Sequence, residues 1–234
     1  MTTPRVIEVT DERTPLAERA IDLIQSAIWD VHPARYLLAE LRETRQGTVQ
    51  GGGYHLLAMV DPGDEATPIA AATGAYLAAI NAGFVSYLAV REDQRGHGLG
   101  KALRGHLVEA FREQARREAG TELAYVVGEV ERDSPWLRAL IAEGRTIALD
   151  LPYFHPWMSI RAEGHYALYR EQVTDTRPEL PAEEVARIIK AIWRRAYRFH
   201  QPEQRDTFRR MMRALEGRAT VGPAPDLAPP PRGA

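Results

Sequence analysis

The chain has 234 residues, 44% of them hydrophobic and 26% charged, and a formal net charge of −2. These are the proportions of a globular protein with a sizeable core and no global pull towards nucleic acid. It contains no cysteine, which excludes disulfides, thiolate metal sites and cysteine nucleophiles. No apolar run reaches membrane-spanning length and the opening Met1-Thr-Thr-Pro-Arg5 lacks a signal-peptide core, so a cytoplasmic enzyme is the expectation.

Arg5 to Thr10 alternates as a first strand. Asp11 or Thr14 can cap the helix that follows, with Pro15 in its first turn and an apolar stripe of Leu16, Ala20, Leu23, Ile24, Ala27 and Ile28. His32-Pro33 interrupts it, because the residue before proline avoids helix. A second helix runs from Ala34 to Thr44. His55 to Val60 reads as a strand, Asp61-Pro62-Gly63-Asp64 as a turn, and Pro68 to Ile80 as a long Ala-rich strand. Phe84 to Val90 is a further strand of β-branched and aromatic residues.

The segment after that strand is the most informative in the chain. Gly96, Gly98 and Gly100 alternate with His97 and Leu99, and from Leu99 the apolar period becomes helical through Leu103, Leu107 and Phe111. Glycines where a helix begins make an anion site, because the first amides lack partners and the helix dipole is positive there. Arg95 and Lys101 add positive charge, so the expected ligand is a phosphate or pyrophosphate. A P-loop is excluded: Gly100-Lys101 is followed by Ala102, and Arg95 occupies the first glycine position. A dinucleotide fingerprint starting at Gly96 fails at Lys101. The pattern [QR]-x-x-G-x-[GA] fits Arg95-Gly96-His97-Gly98-Leu99-Gly100.

Strand, loop, helix and a following strand over Leu123 to Glu129 resemble the acetyl-CoA loop region of the GNAT superfamily of N-acetyltransferases. The order of elements can be followed over most of residues 5 to 172. The resemblance implies an α/β (α+β) fold: a mixed, mostly antiparallel twisted sheet flanked by helices, here with a C-terminal helical extension. It implies acetyl-CoA as acyl donor, no metal, and transfer to a primary amine of a small molecule or peptide. Leu88, Ala89 and Val90 would pair with the pantetheine arm, and Leu88 N–H or a neighbour would serve the developing oxyanion. Arg95, Gly96, His97, Gly98, Leu99, Gly100 and Lys101 would hold the pyrophosphate. The family's helical pair flanks the acceptor, which makes Trp29, Asp30, His32 and Tyr36 pocket candidates; a packed helix–helix corner is the plainer alternative.

Two family positions are filled differently here. Phe84 stands where some relatives place a glutamate base, and Leu140 where many place a tyrosine. Glu129 and Glu131 are the remaining carboxylates for proton removal. Tyr153, or Tyr125, is the remaining hydroxyl. This departure leaves room for a second reading, an acyl-CoA-binding sensor or interaction protein without strong catalysis.

Gly120 closes the helix begun at Leu99. Its exposed face is expected to carry Arg104, Glu109, Arg112, Glu113, Arg116 and Arg117. A short helix from Trp136 to Glu143, a strand from Thr146 to Leu151 and a last strand from His165 to Val173 follow. Between the last two lies the aromatic run Tyr153-Phe-His-Pro-Trp157, which reads as acceptor lining, a stiffened strand edge or a homodimer contact. The domain expectation is 1–175 for the acyltransferase-like part, 176–218 for the helical extension and 219–234 for a disordered Pro-rich tail. Helices over Ala182–Arg198 and Glu203–Gly217 carry an excess of basic residues. Their regular apolar positions favour packing over nucleic-acid binding.

Overall fold

The structure is a computed structural model and describes residues 3–227. The architecture is mixed α/β: a mostly antiparallel sheet of seven strands in the order β1-β2-β3-β4-β5-β7-β6, flanked by helices. The strands are β1 (Arg5–Glu8), β2 (Tyr54–Asp61), β3 (Asp64–Leu77), β4 (Ala82–Val90), β5 (Tyr125–Glu131), β6 (Thr146–Ala148) and β7 (Tyr166–Gln172). The helices are α1 (Pro15–Ala27), α2 (Ala34–Arg45), α3 (Leu99–Ala119), α4 (Pro135–Ala142), α5 (Ala182–Ala191) and α6 (Asp206–Leu215). The short strands β8 (Leu180–Pro181) and β9 (Thr220–Val221) pair separately. The chain forms two compact units, residues 1–78 with 85–121, and residues 79–84 with 122–234.

In the first unit β1, β2 and β3 run antiparallel, with Asp61 paired to Asp64 across the expected Pro62-Gly63 turn. Thr14 caps α1 through its side chain, accepting from Ala17 N–H at 3.2 Å. Alternation along β2 turns Tyr54, Leu56 and Ala58 towards α1 and α2, where they pack with Ile21, Ile24, Leu37 and Leu41. The opposite face carries His55, whose ring meets Phe111 of α3 edge-on at 5.5 Å. The alanines of β3 thereby acquire a reason: Ala71 and Ala75 lie in the α1/α2 core, where small side chains let a helix approach the sheet closely. Arg104, expected on the solvated face of α3, is instead buried.

In the second unit β5, β7 and β6 are antiparallel. One face packs on α4, through Leu137, Leu140 and Ile141 against Ala148, Ala167 and Tyr169. Gly128 and Tyr169 are cross-strand partners, and the Tyr169 ring edge and hydroxyl occupy the space a side chain at 128 would need. The opposite face carries Tyr125, Glu129 and Arg170, and Tyr125 Oη donates to Glu184 of α5 at 3.3 Å. The expected helical extension packs here on Val185, Ile188, Ile189, Trp193, Phe208 and Met211, all buried.

Three expectations change. The strand expected over Thr146–Leu151 stops at Ala148. The helix expected over Ala182–Arg198 is α-helical only to Ala191; Ile192–Ala196 is a wider π turn, closed by Tyr197 N–H on the Ile192 carbonyl at 3.2 Å. Of the tail expected to be disordered, residues 219–227 are folded. Val221 pairs with Leu180, Ala224 is buried against α4, and Asp226 pairs with Arg132. Apolar residues spaced among the prolines find partners that composition does not announce. Residues 228–234 lie outside the described residues.

Candidate active site

The glycine loop forms as its residues require. Gly96 and Gly98 have φ of 84° and 75°, the left-handed region that side chains disfavour. Gly98 is the N-cap of α3, and Ala102 N–H donates to its carbonyl at 3.1 Å. The amides of Leu99 and Gly100 precede that first i→i−4 bond and have no acceptor within the helix. Nothing lies within 4 Å of where a side chain at Gly96 or Gly98 would project. The loop is exposed and its backbone can be approached closely, as an anion would need. Arg95 Nε donates back to the Val90 carbonyl at 3.2 Å, tying the loop to the end of β4. His97 is exposed, its Nδ1 3.2 Å from the Gln94 carbonyl oxygen. Lys101 is exposed in the first turn of α3.

Leu88 and Val90 on β4 are half-buried and Ala89 is buried. Just past them Arg91 N–H donates to the Ile69 carbonyl at 2.9 Å, continuing the pairing with β3. Beside Leu88 stands Tyr87, whose hydroxyl is 2.8 Å from His32 Nδ1 and accepts from His32 N–H at 3.2 Å. The α1–α2 corner is thus pinned to the strand bearing Leu88–Val90. Of the corner candidates, His32 makes this contact, while Trp29 is 74% and Tyr36 50% exposed. Tyr87 was legible as part of this strand, but its contact with His32, 55 residues away in sequence, was not.

In the second unit the acid–base candidates separate. Glu131 ends β5 in a partly exposed pair with His165, Nε2 to Oε1 at 3.6 Å. Glu129 is buried, with its side chain 5% exposed and its Oε1 3.7 Å from Nε2 of the equally buried His155. Tyr153 is fully buried and bridged to Tyr166 of β7. Burial, reinforced by the Glu129 carboxylate, holds its phenol well above the ordinary range, so it stays protonated. Tyr125 is raised by burial and then by Glu184, and is occupied by that contact. Phe84 and Leu140, at the two substituted family positions, are both buried packing residues. The structure therefore brings Glu129 and Tyr153 together and leaves Glu131 outside their cluster. His155 was legible only as part of an aromatic run.

The charges of the C-terminal helices are engaged locally: Lys190 and Arg194 with Glu203, Arg210 with Glu163, and Arg218 with Asp150. Among the described residues there is no cluster of three or more potential metal ligands, and no helix long and apolar enough to cross a membrane.

Residues 21–131 match the family model described as Acetyltransferase (GNAT) family. No curated protein matches the chain in sequence. Among solved structures, the chain is similar to the ribosomal-protein-S18-alanine N-acetyltransferase from Escherichia coli, with 15% identity, a TM-score of 0.51, and coverage of 73% of this chain and 94% of that one. It is similar to Ard1 from Thermoplasma volcanium, with 15% identity, a TM-score of 0.51, and coverage of 74% and 100%. It is also similar to a chain of the NatC complex bound to Gag peptide and CoA, with 16% identity, a TM-score of 0.50, and coverage of 73% and 99%. At these identities the solved structures establish the fold alone. The glycine loop, the strand order and the match of residues 21–131 to the GNAT acetyltransferase model agree, and the chain has the fold of that family.

Proposed function

We propose that the protein is an N-acetyltransferase that moves the acetyl group of acetyl-CoA directly to a primary amine. The observation that carries this reading is the loop at 95–101: two left-handed glycines, open space above them, free-ended amides at the start of a 21-residue helix, and flanking Arg95 and Lys101. These residues suit a pyrophosphate. Acetyl-CoA supplies the activated acyl group. The chain's own part is to hold the donor along Leu88–Val90 and at the loop, and to take a proton from the amine. Glu129 is the proposed proton acceptor, because a buried carboxylate held beside His155 is a stronger base than an exposed one such as Glu131. Tyr153, kept protonated, is the proposed proton donor to the departing thiolate.

The acceptor is an amine of a small molecule or a peptide. A second reading, an acyl-CoA sensor with weak or no turnover, is favoured by the apolar packing of Phe84 and Leu140. Calorimetric titration with acetyl-CoA, and separately with CoA, tests the donor assignment. Binding of both is expected, and absence of binding overturns both readings. Release of CoA in the presence of a panel of primary amines then separates enzyme from sensor.

A further inference from the structure

The second unit presents an aromatic ledge at its surface. Trp157 is 60% exposed, and its ring stands 5.0 Å from that of Phe199. Phe199 is half-buried and is backed by the fully buried Trp193, with ring centroids 5.6 Å apart. The Arg205 guanidinium lies over the Phe199 ring at 5.0 Å. Two rings and a stacked cation thus adjoin, built from the segment after β6 and from the chain between α5 and α6.

The backbone beneath the ledge is strained. Arg198 has a φ of 56°, in the left-handed region that side chains disfavour. The turn it makes brings Phe199 back on the helix, where its N–H donates to the Trp193 carbonyl at 3.0 Å. Strain of this kind persists only where the surrounding packing imposes it, and it gathers at binding sites.

Charge around the ledge is unbalanced. Glu203 is taken by Lys190 and Arg194, Asp206 by Arg209, and Glu163 by Arg210. Arg205 and Arg161 are both exposed and make no ion pair among the described residues. A guanidinium stacked on a ring keeps its in-plane N–H groups open to a carboxylate. A nucleic acid would need a longer track of such cations along its backbone.

The ledge also adjoins the proposed base. Trp157 N–H donates to His155 Nδ1 at 3.4 Å, and His155 Nε2 is 3.7 Å from Glu129 Oε1. The exposed ring therefore follows directly on the buried pair.

We propose that Trp157, Phe199 and Arg205 form an acceptor subsite that selects an acidic peptide. An apolar side chain of the peptide rests on the two rings, and a carboxylate pairs with Arg205. The proposal rests on the N-acetyltransferase reading, which supplies the amine and its base; the ledge decides which amine is taken.

The test is an NMR titration of the full chain labelled with nitrogen-15. It follows the Trp157 indole N–H, assigned as the signal missing from Trp157→Phe. The probes are the peptide Ala-Phe-Glu-Glu and its counterpart Ala-Phe-Gln-Gln, each with a free amine and an amidated end. The acidic peptide is expected to shift the Trp157 signal and to bind about tenfold more tightly than its counterpart. Arg205→Gln is expected to abolish that preference. Arg205→Lys, which keeps the charge and loses the planar fork, is expected to retain part of it. Equal affinity of the two peptides overturns the proposal, as does a preference undiminished in Arg205→Gln, or no shift with either peptide. A shift produced by single-stranded oligothymidylate and by neither peptide overturns it in favour of a nucleic acid. The acetyltransferase reading fails separately, if the acidic peptide binds at Trp157 and no CoA is released from acetyl-CoA.

Discussion

Glu8 and His55 lie 47 residues apart in sequence, yet His55 Nδ1 donates to Glu8 Oε1 at 2.6 Å. The other ring nitrogen faces Gln114 Oε1 at 2.6 Å, and Gln114 in turn donates to Glu118 Oε1 at 2.7 Å. This chain of polar groups joins β1, β2 and α3 through an otherwise apolar interface.

The His55 hydrogen bond holds the Glu8 carboxyl below its ordinary 4.5, against the opposing effect of burial. A lowered native value means the contact stabilises the fold above the unfolded carboxyl's range and is lost as pH falls through the native value. Glu8→Gln is therefore expected to melt at a lower temperature than the parent at neutral pH, with the difference closing in acid. Because Glu8 is 45% exposed, solvent screening keeps the effect below about 1 kcal/mol. Thermal unfolding across pH 3 to 8 checks it, and a difference that grows in acid contradicts the assignment.

Gly98→Val should act on binding more than on the fold. The open space above Gly98 admits the side chain, so the destabilisation expected is the left-handed backbone penalty, about 1–2 kcal/mol. The same side chain would stand where the proposed pyrophosphate would approach, so on that reading acetyl-CoA affinity falls more than about tenfold. Unchanged affinity by calorimetry would remove the loop from the donor site.

Replacing Glu129 with glutamine keeps the shape of the buried side chain beside His155 and removes the proposed base. Turnover should fall by about two orders of magnitude or more, with a flattened rise towards alkaline pH. Glu131→Gln, in its partly exposed pair, should lower turnover little. Equal losses in the two variants would show that burial does not distinguish them.

Gly128→Ala tests packing between β5 and β7. A methyl group at 128 would overlap the Tyr169 ring edge and hydroxyl. Overpacking of this kind costs about 1–3 kcal/mol, and chemical denaturation should read that loss directly. A parent-like stability would mean that Tyr169 moves aside freely.

Truncation after Arg218 removes β9 and the buried Val221 and Ala224. It also removes Asp226, the partner of Arg132. The truncated chain should melt at a lower temperature than one ending at Leu227. Equal melting temperatures would mean that this segment contributes nothing to the second unit.

The sequence by itself determined what depends on local chemistry. The loop at Gly96–Gly100 was legible because left-handed backbone and a helix start both leave a composition signal. So were the Thr14 cap, the Pro62-Gly63 turn and most strands. Tertiary structure alone decided what depends on contacts between distant segments. The Ala-rich strand β3 was legible, but that Ala71 and Ala75 face α1 and α2, where small side chains let helices approach the sheet, was not. Arg104 proved buried because a helical period identifies a face and not its neighbours. Residues 219–227 folded because scattered apolar side chains found α4 and β8, which no composition count anticipates. Above all, Glu129 and Glu131 look alike in sequence, two residues apart on one strand. Only the packing of the segment after β6, which brings His155 against Glu129, buries one of them and leaves the other partly exposed.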